Sequence, residues 1–240
     1  MEKKMKVLVT AGATRVPIDQ VRGVTNIFKG RTGTMIADYL KRRGWDVTLV
    51  TSNPTLANTF SAKFIDSQLE PLWPEEWCRV IGYQTFDELE KILQQEITTG
   101  GYDLIVHSAA VSDYKVSRVL VDGVEGGLTP VDSSTKVSSS HPKLYLEMTP
   151  TIKLIDQFRK WGFKGQLVKF KLQVGLSDTK LLEIAHRSLK DSNADLIVAN
   201  CLEWSKEFAY VIDSSGVVEK VNRQDIGRAI YTFIERGGSS

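Results

Sequence analysis

Cysteine and histidine are scarce: two cysteines, Cys78 and Cys201, and three histidines, His107, His141 and His186, in 240 residues. Two cysteines make no disulfide framework, and none of the five stands at zinc-site spacing, so a reducing compartment fits and all five read as structural. Charge of one sign is lacking too. Thirty-one Lys and Arg against 29 Asp and Glu leave a net charge of +2, too balanced for a protein that holds nucleic acid by counterion release. No stretch approaches a membrane span, and the opening MEKKMKVLVT lacks the apolar core of a signal peptide. The expectation is a cytoplasmic protein that takes neither nucleic acid nor membrane as partner. Also missing is G-x-G-x-x-G after the first apolar run, and Thr51-Ser52-Asn53 stands where an acidic ribose ligand would follow the second. A simple nicotinamide oxidoreductase is disfavoured on both counts.

What is present is an average globular composition, 42% hydrophobic and 25% charged, and a length that buries roughly 70–75% of the unfolded surface without staples. The run 6–10 (KVLVT) has the length and β-branching of a buried strand. Met35, Ile36, Tyr39 and Leu40 recur at helical spacing, and Gly44 stops a helix at 32–43. Strands are expected at 46–51, 78–82 and 103–107, with a helix at 85–97. Residues 53–75 have weak periodicity and prolines at 54, 71 and 74. The alternation of strand and helix builds a parallel sheet covered on both faces. From 113 to 142 it breaks: Gly123, Gly126, Gly127 and five serines between 133 and 140 describe a long flap or loop. Beyond it the pattern predicts a strand at 144–148, a helix at 149–161, a strand at 166–172, a helix at 179–189 and a strand at 195–199. A hairpin with arms 208–213 and 217–221 follows, then a helix at 224–235. The fold class is α/β, a Rossmann-like, mostly parallel sheet with helices on both faces, a long flap and a C-terminal β-hairpin. No repeat or linker divides residues 1–240, so one domain is expected.

Chemistry-bearing residues concentrate early. Gly30-Arg31-Thr32-Gly33 opens the first helix, where bare backbone N–H groups and the positive helix end can hold a phosphate, with Arg15, Arg22, Lys29 and Arg31 close in sequence. An ordinary glycine loop with solvated charges reads the same way. By residue type alone, Lys136 is equally a solvated surface lysine, Asn26 a turn residue and Asp113 a cap.

Several blocks agree in order with one family. VTAGATRVPIDQVRGVTNIFKGRTG at 9–33, His107-Ser108-Ala109-Ala110-Val111-Ser112-Asp113-Tyr114, Lys136-Val137-Ser138-Ser139, Leu146-Glu147-Met148-Thr149-Pro150, Phe170-Lys171-Leu172 and Asp195-Leu196-Ile197-Val198-Ala199-Asn200 together resemble the phosphopantothenate-cysteine ligase family. That activity is the second of the bacterial bifunctional coenzyme A biosynthesis flavoprotein. The resemblance spans 5–235 in one register. It implies a stand-alone ligase that joins 4'-phosphopantothenate to L-cysteine through an acyl-nucleotide, releasing pyrophosphate. It further implies Asn26, Lys136 and Arg22 as catalytic residues: Asn26 holding the intermediate, Lys136 meeting the nucleotide phosphates from the flap. Gly12, Gly30, Gly33, Ala109, Ala110, Val111, Asp113, Phe170, Lys171 and Asn200 are implied as nucleotide- or substrate-binding. The co-substrate is a nucleoside triphosphate, CTP favoured over ATP, with Mg2+ whose ligands the sequence leaves unknown. A homodimer whose flap or hairpin completes the neighbour's site is implied as well. The flavin-binding decarboxylase half has no counterpart in these residues, so no flavin is expected and a separate chain would decarboxylate the product. Phe28-Lys29 stands where the family commonly has Ser-Ser, Gln173 where an acid follows Phe-Lys-Leu, and Cys201 where an Asp often follows Ala-Asn. These departures keep one alternative open, a catalytically weakened homologue acting as a nucleotide- or pantothenate-binding partner subunit.

Overall fold

A computed structural model describes residues 4–63, 78–124 and 126–237. The chain runs through β1 (Lys6–Ala11), a small hairpin of β2 (Arg15–Pro17) and β3 (Gly23–Thr25), α1 (Arg31–Arg42), β4 (Asp46–Thr51), α2 (Pro54–Lys63), β5 (Arg79–Gly82), α3 (Phe86–Gly100) and β6 (Leu104–His107). Then come β7 (Tyr114–Asp122), β8 (Leu128–Val131), β9 (Tyr145–Pro150), β10 (Gln166–Gln173), α4 (Asp178–Asp191), β11 (Leu196–Cys201), β12 (Phe208–Asp213), β13 (Val218–Asn222) and α5 (Ile226–Glu235).

Eight strands form the main sheet in the order β5-β4-β1-β6-β10-β11-β12-β13. Pairing is parallel from β5 to β11 and antiparallel across β11, β12 and β13. The chain winds outward from β1 to β4 and β5, then returns to lay β6 on the other flank of β1. That reversal leaves a crevice at the carboxyl ends of β1 and β6, where α/β sheets bind ligands.

The pleat of β1 divides the core. Val7, Val9 and Ala11 pack with Ile36 and Leu40 of α1 and Ile230 of α5, whereas Leu8 faces the opposite cluster, with Leu89 and Leu93 of α3 and Leu181 of α4. Phe158 is fully buried in the second cluster, its ring edge-on to His107 with centroids 5.1 Å apart. Cutting such a side chain back to alanine costs about 3–5 kcal/mol. α3 starts on a capping box in which Glu88 N donates to Thr85 Oγ1 and Glu88 Oε2 accepts from Thr85 N. α1 starts on Gly30, with no side-chain cap and no acidic residue in its first turn, so its first amides face outward unclaimed by side chains.

Most expected elements stand within a few residues of their predicted bounds, and three regions differ. Residues 113–142 are not one long loop: β7 pairs antiparallel with both β8 and β9 in a separate three-stranded sheet. Glycines 123, 126 and 127 form only the β7–β8 turn, while β-branched Val116, Val119 and Val121 supply strand propensity along β7. The helix expected at 149–161 is replaced by the end of β9, which runs to Pro150, and a 3-10 turn at Leu154–Gln157. Pro150 disfavours helical geometry at Thr149. Thr151 then donates from N to Asp113 O (2.9 Å) and from Oγ1 to Ser112 O (2.8 Å), holding the segment extended. Within 53–75 the weak pattern hides helix α2, capped by Asn53 Oδ1, which accepts from Leu56 N at 3.1 Å; Pro71 and Pro74 lie outside the described residues.

Candidate active site

The turn after β1 needs glycine at two contacting positions. Gly12 has φ 90° and Gly30 φ 82°, a region that side chains rarely adopt. A β-carbon on Gly30 would lie 2.6 Å from Gly12 N, and one on Gly33 would collide with Ser108 Oγ and Ala11 Cβ. Gly12, Gly30 and Gly33 therefore permit a tight turn, a close approach of backbone to backbone, and the seating of α1 on the sheet, the same three steric tasks that glycines serve in a dinucleotide fingerprint. Residues 13–29, which carry the β2–β3 hairpin, stand between the first two, so the motif is invisible as a contiguous string. Ser52 does not replace the missing ribose acid; its Oγ accepts from Ala13 N at 2.9 Å and braces this turn. Arg223, just before α5, adds a cation unseen in the sequence reading. Its Nη2 donates to Thr32 Oγ1 at 3.0 Å, beside Arg31.

Loops leaving β1 and β6 run side by side. Ala110 N donates to Gly12 O (2.8 Å), Thr14 N to Ala110 O (3.2 Å) and Ser112 N to Thr14 Oγ1 (2.8 Å). Asn26 joins them: its Nδ2 donates to Ala110 O at 3.2 Å from an exposed position on the hairpin side. One amide hydrogen is thus engaged, and a second hydrogen and Oδ1 remain for a ligand.

A cleft of about 300 Å³ opens beside these loops at the carboxyl ends of β6 and β10. Ala109, Ala110, Val111, Asp113, Phe170 and Lys171 all line it, so the structure gathers six of the expected binding residues in one place. Asn200 of β11 registers opposite Leu172, which also lines the cleft. Gly12, Gly30 and Gly33 occupy the adjoining crevice under α1. Lys136 is exposed and outside the cleft lining.

Two buried polar residues stand at the cleft: His107, expected to be structural, and Lys169, which the sequence pattern did not single out. Lys169, in the middle of β10, is 9% exposed and donates from Nζ to Ser188 O and Ser192 Oγ, both at 2.9 Å. Burial pushes its ammonium down to about 8; Lys171 and Lys153 act in the same sense, Asp156 and Asp191 against it. A charged residue inside the apolar run Leu167-Val168-Lys169-Phe170 was the available signal. His107, opposite Lys169 in register, is buried with its Nδ1 2.9 Å from Thr10 Oγ1. Burial first, and then the charge of Lys169, lower it to about 4, so it is neutral near pH 7. Three lysines, 153, 169 and 171, line the cleft, and Asp113 is its single carboxylate among the described residues. Such a cavity favours a polyanion.

Arg22, one of the residues implied as catalytic, is engaged by protein groups. Its Nε pairs with Asp19 Oδ2 at 3.0 Å, and its Nη2 donates to Val137 O at 2.7 Å. Asp19 lay unremarked in the amino-terminal block, where the spacing Asp19-x-x-Arg22 was its signal. Burial alone would raise the Asp19 carboxyl, yet hydrogen bonds from the amides of Val21, Arg22 and Val137, and the Arg22 charge, hold it at about 2.

A family model for the DNA/pantothenate metabolism flavoprotein C-terminal domain matches residues 2–229. The chain belongs to this family. A related coenzyme A biosynthesis bifunctional protein CoaBC of Thermococcus kodakarensis is 30% identical over 236 residues, covering 96% of this chain and 51% of the relative. The counterpart in Methanocaldococcus jannaschii is 25% identical over 197 residues, 82% of this chain and 40% of the relative. The chain thus spans about half the length of the curated relatives it matches. Among solved structures, the DNA/pantothenate metabolism flavoprotein of Streptococcus pneumoniae superposes with a TM-score of 0.76 at 25% identity, over 97% of this chain and 99% of that one. A Cab2 variant in complex with phosphopantothenate-cysteine shares the fold, with a TM-score of 0.69 at 18% identity, over 97% and 86% of the two chains. The fold of this family domain is therefore the Rossmann-like sheet described above, and no helix among the described residues is long and apolar enough to cross a membrane.

Proposed function

We propose that this chain is a phosphopantothenate-cysteine ligase acting in coenzyme A biosynthesis, on 4'-phosphopantothenate, L-cysteine and a nucleoside triphosphate. The observation that carries the reading is the lysine-lined cleft, which gathers Ala109–Val111, Asp113 and Phe170–Lys171 beside the Asn26 amide. Membership of the CoaBC ligase-half family supports it, as does the Cab2 complex, whose ligand is the product of this reaction.

In the first step a carboxylate oxygen of phosphopantothenate attacks the α-phosphorus, forming a C–O–P bond and expelling pyrophosphate. In the second the cysteine amine attacks the acyl carbon, loses a proton and expels the nucleoside monophosphate. Negative charge gathers on phosphate oxygens in the first step. Preorganised donors lower its energy: the amides at the start of α1, Arg31, Arg223 and the cleft lysines, joined by Lys136 from the flap. Asn26, held by Ala110 O, is suited to orient the acyl carbonyl for the amine without titrating. We read CTP as the co-substrate, with ATP as the competing choice, and a homodimer in the cytoplasm whose product a decarboxylase takes.

Magnesium fits no protein cage here, because among the described residues no three or more His, Cys, Asp or Glu side chains come together to hold a metal ion. Its role is assigned to the nucleotide, as a counter-ion on the triphosphate with water ligands, and the steps above are written through protein groups alone.

The test is pyrophosphate release with phosphopantothenate, cysteine and CTP or ATP in turn. Release that requires both phosphopantothenate and a nucleotide is expected. Tight nucleotide binding with no substrate-dependent release under either nucleotide would instead make the chain a binding subunit.

A further inference from the structure

Val137, the residue after Lys136, is held at both ends of its backbone by one ion pair far away in sequence. Its N–H donates to Asp19 Oδ2 at 3.1 Å, across 118 positions, and its carbonyl accepts from Arg22 Nη2 at 2.7 Å, across 115. Arg22 Nε returns to the same Asp19 Oδ2 at 3.0 Å, while Oδ1 takes the amides of Val21 and Arg22, each at 2.8 Å. The Asp19 side chain has no exposure, and Val137 is 3% exposed. Every donor to the carboxylate comes from the β2–β3 turn or the flap, so the group serves to join those two segments.

We infer that Asp19 is a positioning residue: with Arg22 it clasps the Val137 backbone and thereby fixes where the flap presents Lys136. The inference rests on the ligase reading, in which Lys136 meets nucleotide phosphate. The geometry gives it force, because a residue whose N–H and C=O are both pinned cannot swing, and the α-carbon of its neighbour lies one peptide, about 3.8 Å, away. Val116, Val119 and their neighbours pin the flap sheet, but 132–144 carries no strand pairing, so the clasp is the tie that the structure provides beside Lys136. Displacing a charge-stabilising group by about 1 Å can cost on the order of 10²-fold in rate. Arg22, on this account, acts through Val137 and needs no contact with substrate.

A double-mutant cycle separates positioning from plain stability. Asp19→Ala should slow pyrophosphate release about 10²-fold with the nucleotide KM changed little, and should slow it less than about 2-fold further in a Lys136→Ala background. Equal factors in both backgrounds would overturn the inference. Asp19→Asn, which keeps one carbonyl acceptor, should recover part of the rate and guards against a variant that fails to fold. Hydrogen exchange supplies a readout free of activity: the Val137 amide should be protected in the wild type and exposed to exchange in Asp19→Ala. An unprotected Val137 in the wild type also overturns the clasp. A wild-type chain that releases no pyrophosphate while Val137 stays protected would remove the ligase reading, and Lys136's task with it, and leave the clasp standing as architecture.

Discussion

The α-carbon of Gly30 is packed against the backbone of Gly12 so closely that a β-carbon added to it would stand 2.6 Å from Gly12 N. Neither partner in that contact can yield, since both are main chain in a turn bounded by β1 and α1. Gly30→Ala should therefore cost more than the roughly 1–2 kcal/mol of a left-handed alanine alone. It should also lift the α1 amides from their seat and weaken nucleotide binding at least tenfold. Thermal unfolding and nucleotide titration would check both effects; an unchanged affinity would remove this crevice from the nucleotide site.

Lys136→Ala should reduce acyl-nucleotide formation by about 10²–10³, the loss seen when one preorganised donor to developing charge is removed. Lys136→Arg should recover part. Normal turnover in the alanine variant would mark the lysine as solvated surface.

Asn26→Asp should separate the half reactions. The new carboxylate retains no N–H for Ala110 O and sets a negative charge beside the mixed anhydride, whereas the groups serving attack on phosphorus are untouched. Mass spectrometry of a quenched reaction should show the acyl-nucleotide accumulating relative to wild type. Equal loss of both steps would assign Asn26 to a structural turn.

Acid should weaken the fold in two stages. His107 binds a proton at about 4 when folded, against 6.5 for an ordinary imidazole. The unfolded chain therefore takes up that proton first, and stability falls as pH drops from about 6.5 to about 4. Asp19 is lowered from 3.8 to about 2, so its contribution is present above 3.8 and is lost as pH falls towards about 2. Urea midpoints measured against pH should show the first stage flattened in His107→Gln. A slope unchanged in that variant would assign the loss to other groups.

The parts of this molecule legible in its sequence are those where one physical rule acts locally. β1, β4, β6 and β11 announce themselves through apolar, β-branched runs, because a strand buried on both faces has no polar side to blur the pattern. α1 shows its apolar stripe and its Gly44 stop, and α3 its stripe. The flap showed in its glycines and serines, but its strands were illegible because β7 is largely exposed, so its residues follow no burial period and only its pairing with β8 and β9 makes it a strand. Thr149–Trp161 misled because a helix-like spacing was outweighed by Pro150 and by the Thr151 bonds to Ser112 and Asp113. At the site, six of the residues grouped by family resemblance line one cleft, while Lys136 stands outside its lining. Asp19, Lys169 and Arg223 did not show themselves, since the importance of each lies in partners 19 to 191 positions away.

The placement of β1 also governs how the chain must assemble. Flanked by β4 and β6, it is the seam between the two halves of the sheet, yet Thr10 meets His107 across 97 positions. Until β6 has been made, the backbone N–H and C=O groups along one side of β1 stay unpaired and open to whatever strand is nearby. Pairings of that separation form slowly, and an unpaired edge in the interval is a template for other chains. Yield of soluble protein should then depend less on the stability of the finished sheet than on how long its first strand waits for its second neighbour.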